Sequence, residues 1–350
     1  MTSNGPVTLA AVARRAGVSI TTASRVISGG PRRVTPELHQ RVMAAALELG
    51  YLPNAQAQAL ARNTSNVVGL IVHDLTDPYF SSIASGVIRV ADERGLIVML
   101  GNTFRNPSRE VEYATMLRAQ RVRAIIVVGT RTLDRAMTAE LVTELKAFQA
   151  NGGRVASVSQ RRLPADTVLP ENRAGARAMA RRLVELGHTK FSALIGSRTL
   201  VTSRDRLAGF SDGLSEAGLE LPKKSIVEGA FTRDGGYAAM RELLAREIDS
   251  TCVFAVNDVM AVGALAALRE AGITVPHDLS LAGFDDIASL RDITPSLTTV
   301  RLPLEEMGAK AAKMALDSEH RGPVRLVRVH GEVVVRESTR DLRLPGAVPG

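Results

Sequence analysis

The sequence is poor in aromatic residues and in cysteine: tryptophan is absent, tyrosine occurs four times, and Cys252 is the single cysteine. One cysteine excludes an internal disulfide, and its apolar neighbourhood, TCVFAV, is typical of a buried structural thiol. No apolar run reaches the ~18–20 residues that a membrane-spanning helix needs. The N-terminal residues lack the basic patch and apolar core of a secretory signal peptide. We therefore expect a cytoplasmic protein without a membrane partner.

Signals for enzyme chemistry are also scarce. The six histidines show no metal-binding spacing such as H-E-x-x-H, and the chain has no P-loop and no G-x-G-x-x-G. Residues 209–213 fit G-x-S-x-G with Ser211 as nucleophile, but that motif needs a strand directly before it, and a helical pattern surrounds it here. A hydrolase that uses Ser211 stays an alternative that burial of this side chain would exclude. The sequence predicts no enzyme, with no catalytic residue, no cofactor and no metal site.

Positive charge is concentrated near the N-terminus. The chain carries a net charge of +8, and residues 1–62 hold seven arginines and two glutamates, a net charge of +5. A small basic module beside a nearly neutral body is typical of proteins that bind a polyanion such as nucleic acid. A solvated surface face would produce the same charge, so charge alone does not decide between the two.

Three short helices are predicted in this basic segment. Thr8 is placed to cap a helix over 9–16, Ser19 to cap a second over 20–27, and a Thr-Pro-Glu sequence opens a third that runs to Leu49. Only Gly-Val separates the first two, and the second is rich in Ser and Thr and carries an arginine. Such a pair is typical of a helix-turn-helix that places its second helix in the major groove. An ordinary helical hairpin is the alternative.

Short apolar runs alternate with longer amphipathic stretches from residue 66 onward. The runs are VVGLIV (67–72), LIVML (96–100), AIIVV (124–128), RVASV (154–158), FSALI (191–195), CVFAV (252–256) and LSLAG (279–283). This alternation predicts parallel sheets with helices on both faces. The length favours two lobes that divide near 160–172, with a ligand between them at the carboxyl ends of the strands.

The chain is thus predicted to have four parts. They are a headpiece (1–53), a hinge helix and linker (54–65), a two-lobed domain for ligand sensing and dimerisation (66–340) and a flexible tail (341–350). The stretch NAQAQALAR in the hinge has few apolar residues and is too short to be a stable helix alone, so we expect it to order on binding.

The headpiece motif VTLAAVARRAGVS, with ASRVI and LGYLPNAQAQALA after it, resembles the lactose/galactose repressor family of bacterial transcriptional regulators. GLIVHDLTDPYFSSIASGV, GHTKFSALIG, FAVNDVMAVGAL, VPHDLSLAGFDD and PSLTTV follow in the family's order, so that the resemblance spans roughly 7–338. It implies an all-α helix-turn-helix headpiece plus an α/β, two-lobed, periplasmic-binding-protein-like sensor domain. It also implies a homodimer that binds pseudo-palindromic double-stranded operator DNA. A small-molecule effector, expected to be a carbohydrate, would control this binding.

The resemblance assigns roles to residues of the headpiece and hinge. Ile20, Thr21 and Arg25 match positions that face bases in the major groove. Leu60 matches an apolar wedge of the minor groove, and such wedges kink DNA. The remaining matched positions, which hold phosphates or lie on the hinge helix, are Thr8, Ser19, Thr22, Ser24, Asn54 and Ala57.

The resemblance also implies an effector pocket. Carboxylates that accept from hydroxyls, an arginine that donates and aromatic rings that pack on CH faces suit a polyhydroxylated ring. The matched positions are Asp77, Tyr79, Phe80, Gln160, Arg206, Phe231, Asn257, Asp258 and Asp285. Gln160 stands where many relatives carry a different polar sequence, and Asp258 has an alternative role as the cap of the helix that follows it. The alternative function is a two-lobed solute-binding protein without a DNA role.

Overall fold

The structure is a computed structural model that describes residues 7–28, 34–52, 65–320 and 322–343. The chain forms two compact units that divide between Asn66 and Val67. Within the described ranges, no helix has both the length and the apolar character needed to cross a bilayer.

The N-terminal unit consists of three helices around a small apolar core. They are α1 (Leu9–Arg15), α2 (Ile20–Ser28) and α3 (Pro36–Glu48), close to the predicted spans. The core contains the fully buried side chains of Val12, Ala23 and Val42. Each helix contributes one of these residues, so the three helices pack together as a single body.

The second unit is built from alternating strands and helices, as the sequence predicts. Its helices are α4 (Pro78–Asp92), α5 (Pro107–Ala119), α6 (Arg135–Ala150), α7 (Asn172–Glu185), α8 (Val201–Ser215), α9 (Arg233–Ala245), α10 (Asp258–Glu270) and α11 (Leu304–Ala315). Its strands are β1 (Val67–Val72), β2 (Ile97–Asn102), β3 (Ala124–Val128), β4 (Arg154–Val158), β5 (Asp166–Pro170), β6 (Phe191–Ile195), β7 (Ile226–Glu228), β8 (Cys252–Ala255), β9 (Ser280–Ala282), β10 (Thr299–Arg301), β11 (Leu326–Val329) and β12 (Glu332–Val334).

The first lobe is a parallel sheet in the order β11-β5-β4-β3-β1-β2 with helices on both faces. The residues of β3 show that both faces of the sheet are covered, because successive side chains of a strand point to opposite faces. Ile126 lies in the apolar cluster that includes α4 and α11, whereas Ile125 and Val127 lie in the cluster that includes α5 and α6. The prediction of parallel sheets covered on both faces is confirmed.

The second lobe is a smaller parallel sheet in the order β7-β6-β8-β9, and an antiparallel ribbon of β10 and β12 lies beside it. Phe210 of α8 stacks on Phe254 of β8, with ring centroids 4.4 Å apart. Cys252 at the start of β8 is fully buried, as predicted, and burial raises the pKa of its thiol.

Three connections join the two lobes, where the sequence predicted one division near 160–172. The first runs from β5 to α7, because β5 at Asp166–Pro170 still belongs to the first sheet. The chain then returns through α11 and β11 to the first lobe and ends with β12 in the second. The short strands β5, β7 and β10–β12 and the helix α11 went unpredicted. The segment predicted as a flexible tail starts at residue 341, but its first residues are bonded to the sensor domain. Leu342 donates its backbone N–H to the backbone oxygen of Leu186.

Close helix pairs support both lobes and place glycine at their contacts. In the first lobe α4 packs on α11, and a Cβ atom on Gly308 would lie 1.9 Å from the backbone oxygen of Ile83. In the second lobe α7 packs on α8, and a Cβ atom on Gly209 would lie 2.0 Å from the backbone oxygen of Arg173. At these two positions glycine lets the helix backbones approach closely.

Candidate DNA-binding helix and effector cleft

The turn between α1 and α2 has the geometry of a helix-turn-helix. Gly17 has a φ of +62°, a conformation that favours glycine. Arg41 of α3 donates from Nη2 to the backbone oxygen of Ala16 at 2.6 Å, and so satisfies a carbonyl at the end of α1. Arg15 forms an exposed ion pair with Glu48 that links α1 to α3. These contacts join α1 and the turn that follows it to α3.

The two faces of α2 differ sharply. Ala23 and Val26 are buried against the other helices, whereas Thr21 and Arg25 are exposed. Ile20 has a fractional exposure of 56%, which is high for an isoleucine in a small unit. An isolated exposed apolar residue is common, but here it shares its face with an arginine and a threonine. The residues predicted to read bases therefore lie on one exposed face.

The predicted phosphate-contacting residues have structural roles as well. Thr8 caps α1, accepting from the Ala11 N–H, and Ser19 accepts from the Thr22 N–H at 3.1 Å while its hydroxyl contacts the Thr22 hydroxyl at 2.8 Å. Ser24 is half-buried. The hinge residues predicted to contact DNA, Asn54, Ala57 and Leu60, lie outside the described residues.

A buried ion pair in the second lobe joins Arg206 to Asp285. Arg206 of α8 donates from Nη2 to Asp285 at 2.6 Å, from Nε to Asn172 at 2.9 Å and from Nη1 to the Val256 oxygen at 2.7 Å. Its guanidinium lies 3.8 Å from the centroid of the Phe284 ring. Burial raises the pKa of Asp285 to about 6, although the Arg206 charge and its hydrogen bond oppose this shift.

Asn257 and Asp258 are adjacent in the sequence but have different roles in the structure. The alternative role suggested for Asp258, as the cap of the helix that follows it, is wrong. Asn257, not Asp258, caps α10, accepting from the Met260 N–H at 3.1 Å. Asp258 is fully buried and accepts from the Thr299 hydroxyl at 2.7 Å and the Ile287 N–H at 3.1 Å. Burial, and next the Asp285 charge, raise the pKa of Asp258 to about 8. Asp258 is thus a neutral support of the cleft near pH 7.

The first lobe contributes Asp77, Tyr79 and Phe80 at the start of α4. Asp77 caps this helix, accepting from the Tyr79 N–H at 3.0 Å, and the rings of Tyr79 and Phe80 meet edge to face. Burial raises the pKa of Tyr79, and the Asp285 charge raises it further, so this ring lies within electrostatic reach of the second lobe. The structure therefore brings together residues that are more than 200 positions apart in the sequence.

Arg105, which was not predicted from the sequence, lies between the two lobes. Its guanidinium carbon is 5.6 Å from the Phe80 ring centroid in the first lobe and 5.7 Å from the Phe231 ring centroid in the second. Its Nη2 donates to Asp77 at 3.0 Å, and its Nε lies 3.6 Å from Asp74. Its position directly after β2, at the carboxyl end of a parallel strand, is the signal that could have revealed it.

Gln160 is buried and joins the lobes rather than standing open in the cleft. Its Oε1 accepts from the Arg131 N–H at 2.8 Å, and its Nε2 donates to the Thr202 hydroxyl at 2.8 Å. The Leu133 N–H donates to the Thr199 oxygen at 2.9 Å in the same region. These bonds hold the loop after β3 against the start of α8.

A second buried cluster adjoins the loop after β3, and it too was not predicted from the sequence. Arg131 donates to both carboxylate oxygens of Glu110, at 2.8 and 2.6 Å, and His73 lies 2.9 Å from Glu110. Burial would raise the pKa of Glu110, but the charge of Arg131 and the hydrogen bonds outweigh it and lower the pKa to about 2. Burial lowers the pKa of His73, and because the ionised Glu110 can only accept, their hydrogen bond requires a proton on His73 Nε2.

Enzyme geometry is not found at the G-x-S-x-G sequence. Ser211 lies in the middle of α8 rather than at a strand-to-helix turn, and its residue is half-buried. A nucleophile elbow requires that sharp turn, so the sequence match is coincidental.

Comparison with known proteins gives two family matches in this chain. The model described as bacterial regulatory proteins, lacI family, matches residues 8–54, and the one described as a periplasmic binding protein-like domain matches residues 180–339. The match at 8–54 excludes the alternative of a solute-binding protein without a DNA role. Both predicted parts of the fold are thereby confirmed.

Relatives and solved structures cover most of the chain. The HTH-type transcriptional regulator GalR of Escherichia coli K12 is 36% identical over 310 residues, 88% of each protein, and DegA of Bacillus subtilis 168 is 33% identical over 95% of this chain and 97% of DegA. The lac repressor dimer bound to operator and the anti-inducer ONPF has a TM-score of 0.82 at 28% identity, covering 96% of this chain and all of that one. A transcriptional regulator CelR–cellobiose complex has a TM-score of 0.69 at 30% identity, covering 95% and 99%. The chain belongs to the lacI family of bacterial regulatory proteins and is a DNA-binding transcriptional regulator, not an enzyme.

Proposed function

We propose that the protein is a homodimeric repressor that binds pseudo-palindromic operator DNA and releases it when an uncharged sugar binds between the sensor lobes. The observation that carries the DNA-binding role is the exposed face of α2, where Ile20, Thr21 and Arg25 lie opposite a buried apolar face. A helix of this kind enters the major groove, and a dimer presents two of them to a two-fold site.

The DNA contacts are assigned by type. Arg25 reads a base edge, and Ile20 and Thr21 contact thymine methyls or an equivalent edge. The phosphate contacts fall to Thr8, Ser19, Thr22 and Ser24. Asn54, Ala57 and Leu60 belong to a hinge segment in the minor groove, with Leu60 as the wedge. We retain the division into headpiece (1–53), hinge (54–65), sensor (66–340) and tail (341–350), and we assign the protein to the cytoplasm, where operator DNA lies.

The effector contacts fall to polar groups and aromatic rings of both lobes. Asp77 and Asp285 accept from hydroxyls, Asn257 and Arg206 supply amide and guanidinium donors, and the rings of Tyr79, Phe80 and Phe231 pack on the CH faces of the sugar. Asp258 and Gln160 support this pocket from behind, since their described bonds are to protein groups.

Charge balance favours an uncharged effector. Arg206 is paired with Asp285, and Arg105 faces both Asp77 and Asp74. Among the described residues around these two ion pairs, no further arginine is left to neutralise an anion in the cleft. Relatives point to the same class, because one solved complex contains cellobiose and another regulator of the family contains ribose.

A homodimer is favoured by an apolar surface at the edge of the first lobe. Ile97 and Met99 of the edge strand β2 have fractional exposures of 70% and 44%, and Ile88 of the adjacent α4 has 48%. An exposed edge strand with apolar residues is otherwise prone to association, and burial against a second copy removes that risk. One structural relative is a lac repressor dimer.

The test uses the full-length protein and a random-sequence duplex library. We expect selection of a pseudo-palindromic site, and binding to it that weakens steeply as salt rises, because arginine contacts release counterions from DNA. A panel of D-glucose, D-galactose, D-ribose, lactose and cellobiose is then added, and one sugar should lower the affinity for the selected site. Failure to retain any duplex at low ionic strength would overturn the DNA role, and tighter DNA binding with a sugar would reverse the direction of control.

A further inference from the structure

Two arginines lie on either side of the point where the sensor domain begins. The two units divide between Asn66 and Val67, and Val67 is the first residue of β1. On one side of β1, Arg123 directly before β3 donates its backbone N–H to the Val67 oxygen at 2.8 Å. On the other side Val67 pairs with Ile97 of β2, and Arg94 lies three residues before Ile97. The chain that leaves the DNA-binding headpiece therefore enters the sensor domain between two arginines.

The side chains of Arg94 and Arg123 are exposed and unpaired. Within the part of the chain that the structure describes, neither guanidinium has a hydrogen bond or an ion pair. Their neighbour Arg118, near the end of α5, differs, because its Nε lies 3.1 Å from the Glu144 carboxylate. A solvated guanidinium without a carboxylate keeps all its donors available, and it suits the oxygens of a phosphate.

The surface around this point carries an excess of positive charge. Arg121, two residues before Arg123, is exposed as well. The acids nearest to Arg94 in the sequence are Asp92 and Glu93 at the end of α4, and Glu93 lies 3.4 Å from the Arg89 guanidinium. That leaves Asp92 against three exposed arginines. A polyanion is the partner that such a surface attracts.

The covalent chain limits how far these arginines lie from DNA. In the proposed function Leu60 enters the minor groove, and seven residues lead from Leu60 to Val67. An extended chain spans at most ~3.3–3.6 Å per residue, so this tether is no longer than about 25 Å. Duplex DNA carries one phosphate charge per ~1.7 Å of its axis. The arginines beside Val67 are therefore held near the phosphates on either side of the hinge segments.

We propose that Arg94 and Arg123 of each protomer contact backbone phosphates of the operator beside the hinge segments, so that the sensor domain itself supplies part of the DNA affinity. Phosphate contacts carry no sequence information, so these strengthen binding to any duplex and leave the choice of sequence to α2. The inference rests on the proposed function, because it requires the hinge to lie in the minor groove.

The helix ends at this edge of the sheet suggest a different role for the same arginines. α4 ends at Asp92 and α5 at Ala119, and a cation just after the end of a helix interacts favourably with its dipole. A role confined to the helix ends would lower the free energy of unfolding on substitution and leave DNA binding unchanged. The two roles therefore predict different results from the same variants.

The experiment measures how DNA affinity depends on salt. Full-length wild type, Arg94→Ala, Arg123→Ala and the double variant are titrated by fluorescence anisotropy with the selected operator and with a random-sequence duplex, between about 50 and 200 mM salt. Each phosphate contact adds about 0.9 to the slope of log affinity against log salt, and a dimer holds two copies of each arginine. Each single substitution should therefore reduce the slope by about 1.8, and the double variant by about twice as much. Both duplexes should lose affinity by the same factor.

Two further variants serve as controls. Arg241→Ala removes the same charge from an exposed position of α9 in the second lobe and should keep the wild-type slope. The double variant Arg94→Lys/Arg123→Lys keeps both charges and should recover most of the slope that the alanines lose. A wild-type slope in the double alanine variant, with or without a loss in the free energy of urea unfolding, would overturn the inference and leave the proposed function standing, and so would an equal change of slope in Arg241→Ala. Failure of wild type to bind any duplex would overturn both.

Discussion

Arg206 and Asp285 form a buried ion pair in which Nη2 lies 2.6 Å from Oδ1, and their side chains have fractional exposures of 2% and 6%. Arg206 comes from α8, and Asp285 follows β9 with a φ of +125°, which is unusual for a residue other than glycine. This residue places its carboxylate on the Arg206 guanidinium, which also donates to Asn172 and to the Val256 oxygen.

The first prediction concerns the stability of this pair. Asp285→Ala leaves the guanidinium buried without its carboxylate, and breaking a buried pair from one side costs about 3–5 kcal/mol. We expect a loss of that order in the free energy of unfolding of the sensor unit. Urea unfolding followed by far-UV circular dichroism measures it, and Asp234→Ala on the exposed start of α9 is the matched control. A loss no larger than that of the control would show that the pair is not stabilising.

The second prediction concerns Asp258 and pH. Burial first, and then the Asp285 charge, raise the pKa of Asp258 to about 8, far above its usual value. The folded protein therefore holds a proton that the unfolded chain releases, so stability is present at low pH and is lost as pH rises toward about 8. Asp258→Asn removes this loss, and the variant should gain on wild type by roughly 1 kcal/mol per pH unit between pH 5 and 8.

Comparing wild type with Asp258→Asn at each pH isolates the contribution of Asp258 to the free energy of unfolding. His73 and His188, whose pKa values burial lowers, change stability in the opposite direction over the acid part of the range, but they do so equally in both proteins. The asparagine oxygen can still accept from the Ile287 N–H, and its amide group takes the place of the Asp258 oxygen that accepts from the Thr299 hydroxyl, a hydroxyl that can itself accept. A difference in unfolding free energy that stays constant from pH 5 to 8 would mean that Asp258 is ionised in the folded protein.

Local sequence patterns predicted the parallel sheets, but they did not predict the shortest strands. β3 is an uninterrupted apolar strand, AIIVV, and both its faces are buried, which is why a short continuous apolar run identified it. β7 and β12 have three residues each, too few for any periodic signal. α11 was within reach, since Leu304, Met307, Ala311 and Met314 recur at helical spacing and are all buried.

The site was predictable where a motif marked it and not where only the fold assembles it. Asp77 and Arg206 lie in recognisable segments, whereas the cluster of His73, Glu110 and Arg131 comes from three elements that the sheet brings together. His73 and Arg131 nevertheless come soon after buried parallel strands, at the sheet edge where ligands bind in such folds. The φ of +60° at Arg105 could not be predicted from the sequence, because arginine is not among the residues, such as glycine and asparagine, that favour this conformation.

The third prediction tests the close contact of α4 and α11. A Cβ atom on Gly308 would lie 1.9 Å from the backbone oxygen of Ile83, and backbone cannot give way as a flexible side chain can. Gly308→Ala should therefore lower the free energy of unfolding by roughly 1–3 kcal/mol, despite alanine's higher helix propensity. Lys310→Ala on the exposed side of α11 is the control. An unchanged or higher unfolding free energy for Gly308→Ala would mean that the helices separate without cost.

The fourth prediction separates base reading from general attraction to DNA. Arg25 lies on the exposed face of α2, and Arg14 is exposed on α1, so each substitution by alanine removes one positive charge. Loss of a base contact costs about 1–3 kcal/mol, so Arg25→Ala should bind the selected operator roughly 10- to 100-fold more weakly while its affinity for random duplex changes little. Arg14→Ala should weaken both duplexes by the same small factor, because a phosphate contact carries no sequence information. Fluorescence anisotropy with both duplexes at several salt concentrations measures this, and equal losses of specificity in the two variants would remove Arg25 from the base-reading set.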